Sequence, residues 1–322
     1  MQYESPVGGA DTSSYVDPDP GLGTDGSRVR APAIENVMRE LDHLISFAGI
    51  TPARGDLQQV RKAIQALLGS GSRPALFAAR DYYVSPSGSD SSDGLSVGAP
   101  FATFDKFFET VADLDIGDNE VRCNAADGTY TQTVTCAKVW NGSGKVRLVG
   151  NTSSPGNCVM NGAGVIVQDR SRLYIGGFRF AGSGHGLLSQ RDGFVVLDGN
   201  NDFAALGSGK YQLYATQGGQ IHVDANYSIS GGADFHWAAD FDSLLACFGR
   251  AITLAGTPAF SQAFAYARAG TLEVQSNTFP GTGATGPEYI VSLNGQINTF
   301  GAGAGYLPGS SGGITSSGGQ YE

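Results

Sequence analysis

The chain has 322 residues, enough for one large domain or for two with a small appendage. Hydrophobic residues make up 41% and charged residues 16%, against about 25% charged in an ordinary domain, which excludes wholesale disorder. Lys+Arg 20 against Asp+Glu 30 leaves a formal charge of −10, a surface that repels phosphate backbones, so nucleic acid is not expected as a partner.

Glycine is the outlier, at 48 residues without a period of three, and points to many turns. No run of about 18 apolar residues occurs, and the first 30 residues hold no signal-peptide-like stretch, so neither membrane insertion nor export by a leader is expected. The four cysteines (Cys123, Cys136, Cys158, Cys247) form no Cys-x-x-Cys pair and read as small core residues. His43, His185, His222 and His236 show no metal spacing, and neither a metal nor a cofactor is expected.

In chain order, residues 1–30 read as an extended attachment arm, because Asp17-Pro18-Asp19-Pro20-Gly21 prevents regular structure. Residues 31–74 read as a helical hairpin for docking or oligomerisation. Its first helix carries Ile34, Val37, Met38, Leu41, Leu44 and Ile45 at helical spacing, with Pro32 in the first turn and Gly49 at the end. The second is expected from Thr51-Pro52, with Leu57, Val60, Ile64, Leu67 and Leu68 on one face. Two helices of this length cannot enclose a core. Their stripes must meet copies of themselves, a partner, or the downstream domain.

From residue 75 the chain is strand-rich and repetitive. One position is filled by Arg172–Ile175, Gly193–Leu197, Gly219–Val223, Leu244–Cys247, Gly270–Val274 and Gly295–Asn298. A second follows in most copies as Phe178–Gly182, Tyr227–Gly231, Ile252–Gly256 and Asn277–Gly281. A third closes each unit as Leu187–Ser189, Tyr211–Ala215, Phe235–Ala239, Phe264–Ala267 and Tyr289–Leu293. Gly193 to Gly219 is 26 residues, Gly219 to Gly270 is 51 or two units, and Gly270 to Gly295 is 25. Three short strands per unit predict a three-faced parallel β-helix over 75–300 whose coils share one core. A β-sandwich is the rival arrangement. Within strands, Ile221, Val223, Leu272 and Val274 should point inward, and His222 and Glu273 outward. Residues 301–322 read as a Gly/Ser-rich tip in extended chain.

The segment Tyr82–Phe108 resembles the start of right-handed parallel β-helix proteins of the pectin-lyase-like superfamily. There a strand, a Gly/Asp/Ser loop and a Pro-Phe-x-Thr helix start cap the first coil; Pro100, Phe101, Thr103 and Phe104 match. Thr103 is also a sound N-cap for a helix bearing Phe104, Phe107, Phe108 and Val111. The run Tyr306–Tyr321 resembles the ends of some phage-encoded β-helix proteins, usually homotrimeric fibres or spikes. Arm, helical docking region, shaft and tip is likewise the modular plan of phage tail spikes and fibres. The resemblance covers about 75–322 and implies a fold more than a function.

Spikes of this resemblance that depolymerise polysaccharide use paired carboxylates, and glycoside cleavage needs an acid and a base or nucleophile at about 5–9 Å. Asp198 and Asp224 share an offset in adjacent coils, which makes them a candidate pair. Both also lie in turns, where Asp and Asn serve the backbone. The third-position aromatics, among them Trp237, Tyr214 and Tyr266, are carbohydrate-binding candidates if outward and core or subunit contacts if inward. Outward apolar residues such as Val196 would need cover from another subunit. The loop Ser87–Gly94 lacks the late glutamate of an EF-hand and reads as a capping loop.

These features lead to an expected homotrimeric virion protein of a bacteriophage, a tail fibre or spike. It would attach to phage tail, neck or baseplate proteins through residues 1–74 and contact host polysaccharide through the shaft. The alternatives are a polysaccharide depolymerase, or a structural neck, collar or head fibre.

Overall fold

The computed structural model describes residues 5–10, 12–23, 25–69 and 73–322. It divides into two units, Met1–Pro74 and Ala75–Glu322.

In the first unit the described residues before 31 carry no helix or strand. Helix α1 spans Ala31–Phe47. It ends in a Schellman turn: Gly49, at φ +77°, donates to Ser46 O (2.9 Å), and Ile50 donates to Ile45 O (3.2 Å). Helix α2 spans Gln59–Gly69, starting later than the Thr51-Pro52 signal suggests. Gln59 is the cause: its Oε1 accepts from Ala53 N–H (2.9 Å) and its Nε2 donates to Thr51 O (3.0 Å), holding the connection as a turn. Leu57 therefore precedes the helix and is 97% exposed.

The second unit is a parallel β-solenoid. Its first sheet has ten strands, from Arg80–Val84 to Gln320–Tyr321, its second has six, from Gly128–Tyr130 to Ile252–Leu254, and its third has eight, from Val134–Cys136 to Ile314–Thr315. Every pairing within them is parallel, and the three repeat positions read from sequence fall on the three sheets in order, except that Asn277–Gly281 forms no strand and meets the second sheet only through the isolated bridges Ala251 to Thr278 and Leu254 to Gly281. The core runs unbroken from Leu76 to Leu307. Ile221, Val223, Leu272 and Val274 lie in it, while His222 and Glu273 face outward and are half-buried.

Two expectations are corrected. Residues 301–322 are not a tip beyond the solenoid but its last coil: Ile290 pairs with Ile314 and Ile297 with Tyr321, Leu307 enters the core, and the Tyr289 and Tyr321 rings stack at 4.0 Å. Glycine and serine are abundant there because the coil is mostly turn. Val196 needs no second subunit, since its neighbours in the first sheet already bury it to 4% exposure.

Helix α3, Phe104–Ala112, belongs to the first coil and buries Phe104, Phe107, Phe108 and Val111. Thr103 caps it, with Oγ1 accepting from Lys106 N–H (3.1 Å). The Ser/Gly/Asp loop supplies the clamp. Asp90 Oδ1 accepts from Ala102 and Thr103 N–H (2.9 and 3.0 Å), and Oδ2 accepts from the Thr103 hydroxyl (2.9 Å).

The glycine that leads each repeat has a steric cause. Turns from the third sheet to the first put successive residues in the left-handed region, as at Asp169–Arg170, Arg191–Asp192 and Leu293–Asn294. The next residue then lies against the coil before it. A Cβ at Gly193 would sit 2.3 Å from Val167 O, and one at Gly219 2.2 Å from Ser189 O.

One polar chain crosses the core. Gln212 Nε2 donates to Ala204 O (3.0 Å) and Gly231 O (2.8 Å), so its Oε1 is free to accept from His236 Nδ1 (2.7 Å). His236 Nε2 then accepts from the Tyr227 hydroxyl (2.6 Å), whose oxygen accepts from Trp237 Nε1 (2.9 Å). Each donated hydrogen, including both on Gln212 Nε2, has one acceptor, and the order of protons is fixed throughout.

Candidate functional site

The outer face of the third sheet carries the most developed surface feature of the solenoid. Strict alternation fails there, because two successive residues face inward in three consecutive coils: Gln212–Leu213, His236–Trp237 and Phe264–Ala265 are all fully buried. A local departure of this kind re-aims the flanking side chains. Tyr211 and Phe235 are sent out beside Ala263, and Tyr214 and Tyr266 on either side of Ala238, forming a hydrophobic cluster separate from the core.

Of the carbohydrate-binding candidates, the structure thus brings Tyr214 and Tyr266 together on one outer face. It corrects Trp237. That indole is wholly enclosed, its N–H is spent on Tyr227, and its ring packs at 5.1 Å against Phe264.

The outward rings, Phe235 buried and the three tyrosines half-buried, do not form an open platform. Tyr211 meets Tyr214 edge-on (4.6 Å, 84°) and Phe235 edge-on (5.1 Å, 75°), and Phe235 stacks on Tyr266 (4.6 Å, 26°). Burial raises the phenol of each tyrosine, that of Tyr266 to about 12, so all stay neutral hydrogen-bonding groups at ordinary pH. His185 lies 5.1 and 5.2 Å from the Tyr211 and Tyr214 rings; its Nδ1 accepts from Tyr211 N–H (3.1 Å), and burial pushes it down to about 4.

Beside the rings, Asp240 is 1% exposed and held by the Arg268 guanidinium through both carboxylate oxygens. Arg268 stays protonated against that carboxylate and lies over the Phe241 ring at 4.6 Å. Sequence reading missed Arg268 and Ile290. The available signal was position, since Arg268 is the in-register neighbour of Asp240 and Ile290 that of Tyr266.

The column through this cluster continues in both directions. In register, Ile166, Leu188, Tyr214, Ala238, Tyr266, Ile290 and Ile314 occupy one outward position on successive strands.

Asp198 and Asp224 lie on the first sheet, each one residue beyond the in-register pair Leu197 and Val223. Asp198 is committed elsewhere: its Oδ2 takes the Arg147 guanidinium at 2.5 Å from two strands away. Burial pushes its carboxyl up and Arg147 pulls it back. Asp224 is exposed. The geometry is that of one ion-paired and one solvated turn carboxylate. Other outward arginines are also engaged, Arg191 with Asp169 (2.7 Å) and Arg179 with Asp202 (3.5 Å), while Arg172 covers the Phe194 ring (4.4 Å).

All four cysteines are free and buried, which raises each thiol, Cys136, Cys158 and Cys247 to about 12. Among the described residues no three His, Cys, Asp or Glu side chains are grouped to hold a metal ion, and no helix is long and apolar enough to cross a membrane.

In the first unit the docking candidates lie at the surface. Ile34, Val37, Leu41, Leu57 and Ile64 are exposed, Leu44, Val60 and Leu67 are half-buried, and only Ile45 and Ala63 among the helical apolar residues are buried. Two open hollows, lined by Ile34, Met38, Leu41, Ile45, Leu57 and Val60 among others, run along this face.

No protein-family model, curated protein or solved structure matches the chain.

Proposed function

We propose that this chain is an oligomeric structural protein of a bacteriophage particle, a tail fibre or spike. The helical hairpin docks and associates, and the solenoid is a shaft able to meet host glycan. The observation that carries the reading is the hairpin's exposed stripe. Ile34, at 56% exposed, and Leu41, at 40%, sit on a helix that buries only Ile45, and an apolar stripe of this kind marks an interaction surface. The phage assignment rests on the succession of arm, helical docking region and shaft, without a separate tip, and on the resemblance of Tyr306–Tyr321 to phage β-helix ends. Three copies are the number that resemblance implies, and repeated weak contacts along such a fibre gain strength from being linked.

The test is the mass of the full chain in solution, joined to gold-labelled antibody against the solenoid on purified particles. An assembly of copies of the 33.3 kDa chain, with label on the particle, is expected. A monomer at micromolar concentration, or particles without label, would overturn the proposal.

A further inference from the structure

We infer that the outer face of the third sheet is the surface against which a second copy of this chain packs, solenoid to solenoid. The inference rests on the oligomeric reading above and assigns the face that the association uses.

Shape and chemistry decide what the face can meet. A sugar ring stacks on an open aromatic face, but Tyr211, Tyr214, Phe235 and Tyr266 spend their faces on one another. Above and below them the column carries branched aliphatics, from Ile166 to Ile290 and Ile314, the last 53% exposed. A polyhydroxylated chain gains little from isoleucines, whereas protein interfaces combine such apolar side chains with Tyr, Phe and Arg. The feature also runs along the stacking direction over seven strands, so its complement has to be straight and of similar length. A second solenoid meets that requirement.

Charge permits this choice. Copies of a chain with a charge of −10 repel, so a contact between them is favoured where the two surfaces add no net charge of their own. The third face meets that condition. Asp240, the buried charge here, is already matched by Arg268 of the same chain. The outer faces of the other sheets carry intrachain ion pairs of the same kind, Arg147 with Asp198 and Arg179 with Asp202, and the first adds Glu273, so what sets the third face apart is its apolar column.

Size explains why the hairpin is needed as well. Seven strands at about 4.8 Å make a ridge about 30 Å long, and a width of about 15 Å offers roughly 450 Å². A self-sufficient contact needs about 800 Å² per partner. The ridge is therefore too small to recruit a free partner, yet large enough to close once the hairpin has raised the local concentration of a second copy.

The experiment is hydroxyl-radical footprinting of two full-length proteins, the wild type and the hairpin variant Ile34→Asp/Leu41→Asp, with the mass of each measured in parallel. In an oligomeric wild type, Tyr214, Tyr266 and Ile290 should be oxidised more slowly than in the monomeric variant, by roughly threefold or more, because an interface core excludes water. Phe300, exposed after a first-sheet strand, should react equally in both. Equal rates at Tyr214, Tyr266 and Ile290 in an oligomeric wild type would overturn the inference while leaving the association intact. Protection that appears only when polysaccharide is added would overturn it in favour of a sugar site. A monomeric wild type would overturn the oligomeric reading itself. If the hairpin variant stays associated with the ridge protected, adding Ile290→Arg should release monomers, and failure to do so would also refute the assignment.

Discussion

Lowering the pH from 7 to 5 should weaken the solenoid through His236, by an amount the structure allows to be worked out. The ring is wholly buried among Phe203, Phe260, Phe264 and Trp237, and the titratable group facing it is the Tyr227 phenol. Its Nε2 is already an acceptor, so a proton there would oppose the Tyr227 O–H and leave an uncompensated charge in the core. Burial accordingly holds its pKa well below 6.5. The unfolded chain titrates near 6.5 and binds a proton that the folded chain refuses, so stability is complete above that pH and falls below it. The loss is about 1.4 kcal/mol per pH unit until the folded-state value is reached. Between pH 7 and 5 it comes to about 2 kcal/mol. Urea unfolding followed by tryptophan fluorescence at pH 7, 6 and 5 would measure it, with His236→Gln as the reference. Glutamine can still donate toward Gln212 and accept from Tyr227, and it does not titrate. The variant should be less stable at pH 7 by about 1–2 kcal/mol, with the gap shrinking by about 2 kcal/mol at pH 5. Groups common to both proteins, including His185, cancel. A gap independent of pH would refute the reasoning.

Two further outcomes are expected. Gly219→Ala would drive a methyl to 2.2 Å from Ser189 O, so the coils must part; a loss of about 1–3 kcal/mol in urea unfolding is expected, while Gly209→Ala, with nothing within 4 Å but φ +73°, should cost about 1 kcal/mol. Arg268→Ala leaves Asp240 buried without its cation and should cost about 2–3 kcal/mol, allowing for the partial exposure of the arginine; most of this should return in the double variant with Asp240→Asn, and full additivity in the cycle would deny the coupling.

The coil architecture was legible because its causes are local. Strand alternation places Ile221, Val223, Leu272 and Val274, and the leading glycines record the places where one coil touches the next. The earliest coils were less legible: Val121–Ala125 and Val146–Val149 follow Glu120 and Lys145 rather than a glycine. The strand Asp202–Leu206 was missed because Asn201 before it reads as a turn. In fact Asn201 is fully buried and its side chain turns the corner, accepting from Phe178 N–H (3.1 Å) and donating to Gly199 O (3.0 Å). The outer cluster was half legible. Its aromatics were evident, but which of them faced out was not, since period-two reasoning assigns Trp237 and His236 to opposite faces and the structure buries both.

That irregularity links fold to function. In a stacked solenoid the inward positions are constrained by the shared core, and the turn positions by the approach of the neighbouring coil. The outward positions are constrained by neither and default to polar residues. An apolar outward column therefore needs another cause. Doubling the inward residues at Gln212–Leu213, His236–Trp237 and Phe264–Ala265 interrupts the alternation at the same place in three successive coils, which keeps Tyr211, Phe235 and Ala263 in one row. The buried chain from Gln212 through His236 and Tyr227 to Trp237 satisfies the polar groups that the doubling brings inside. A polar network in the core is thus the internal half of the device whose external half is the aromatic ridge. Loss of the first, by acid or by substitution at His236, should loosen the second.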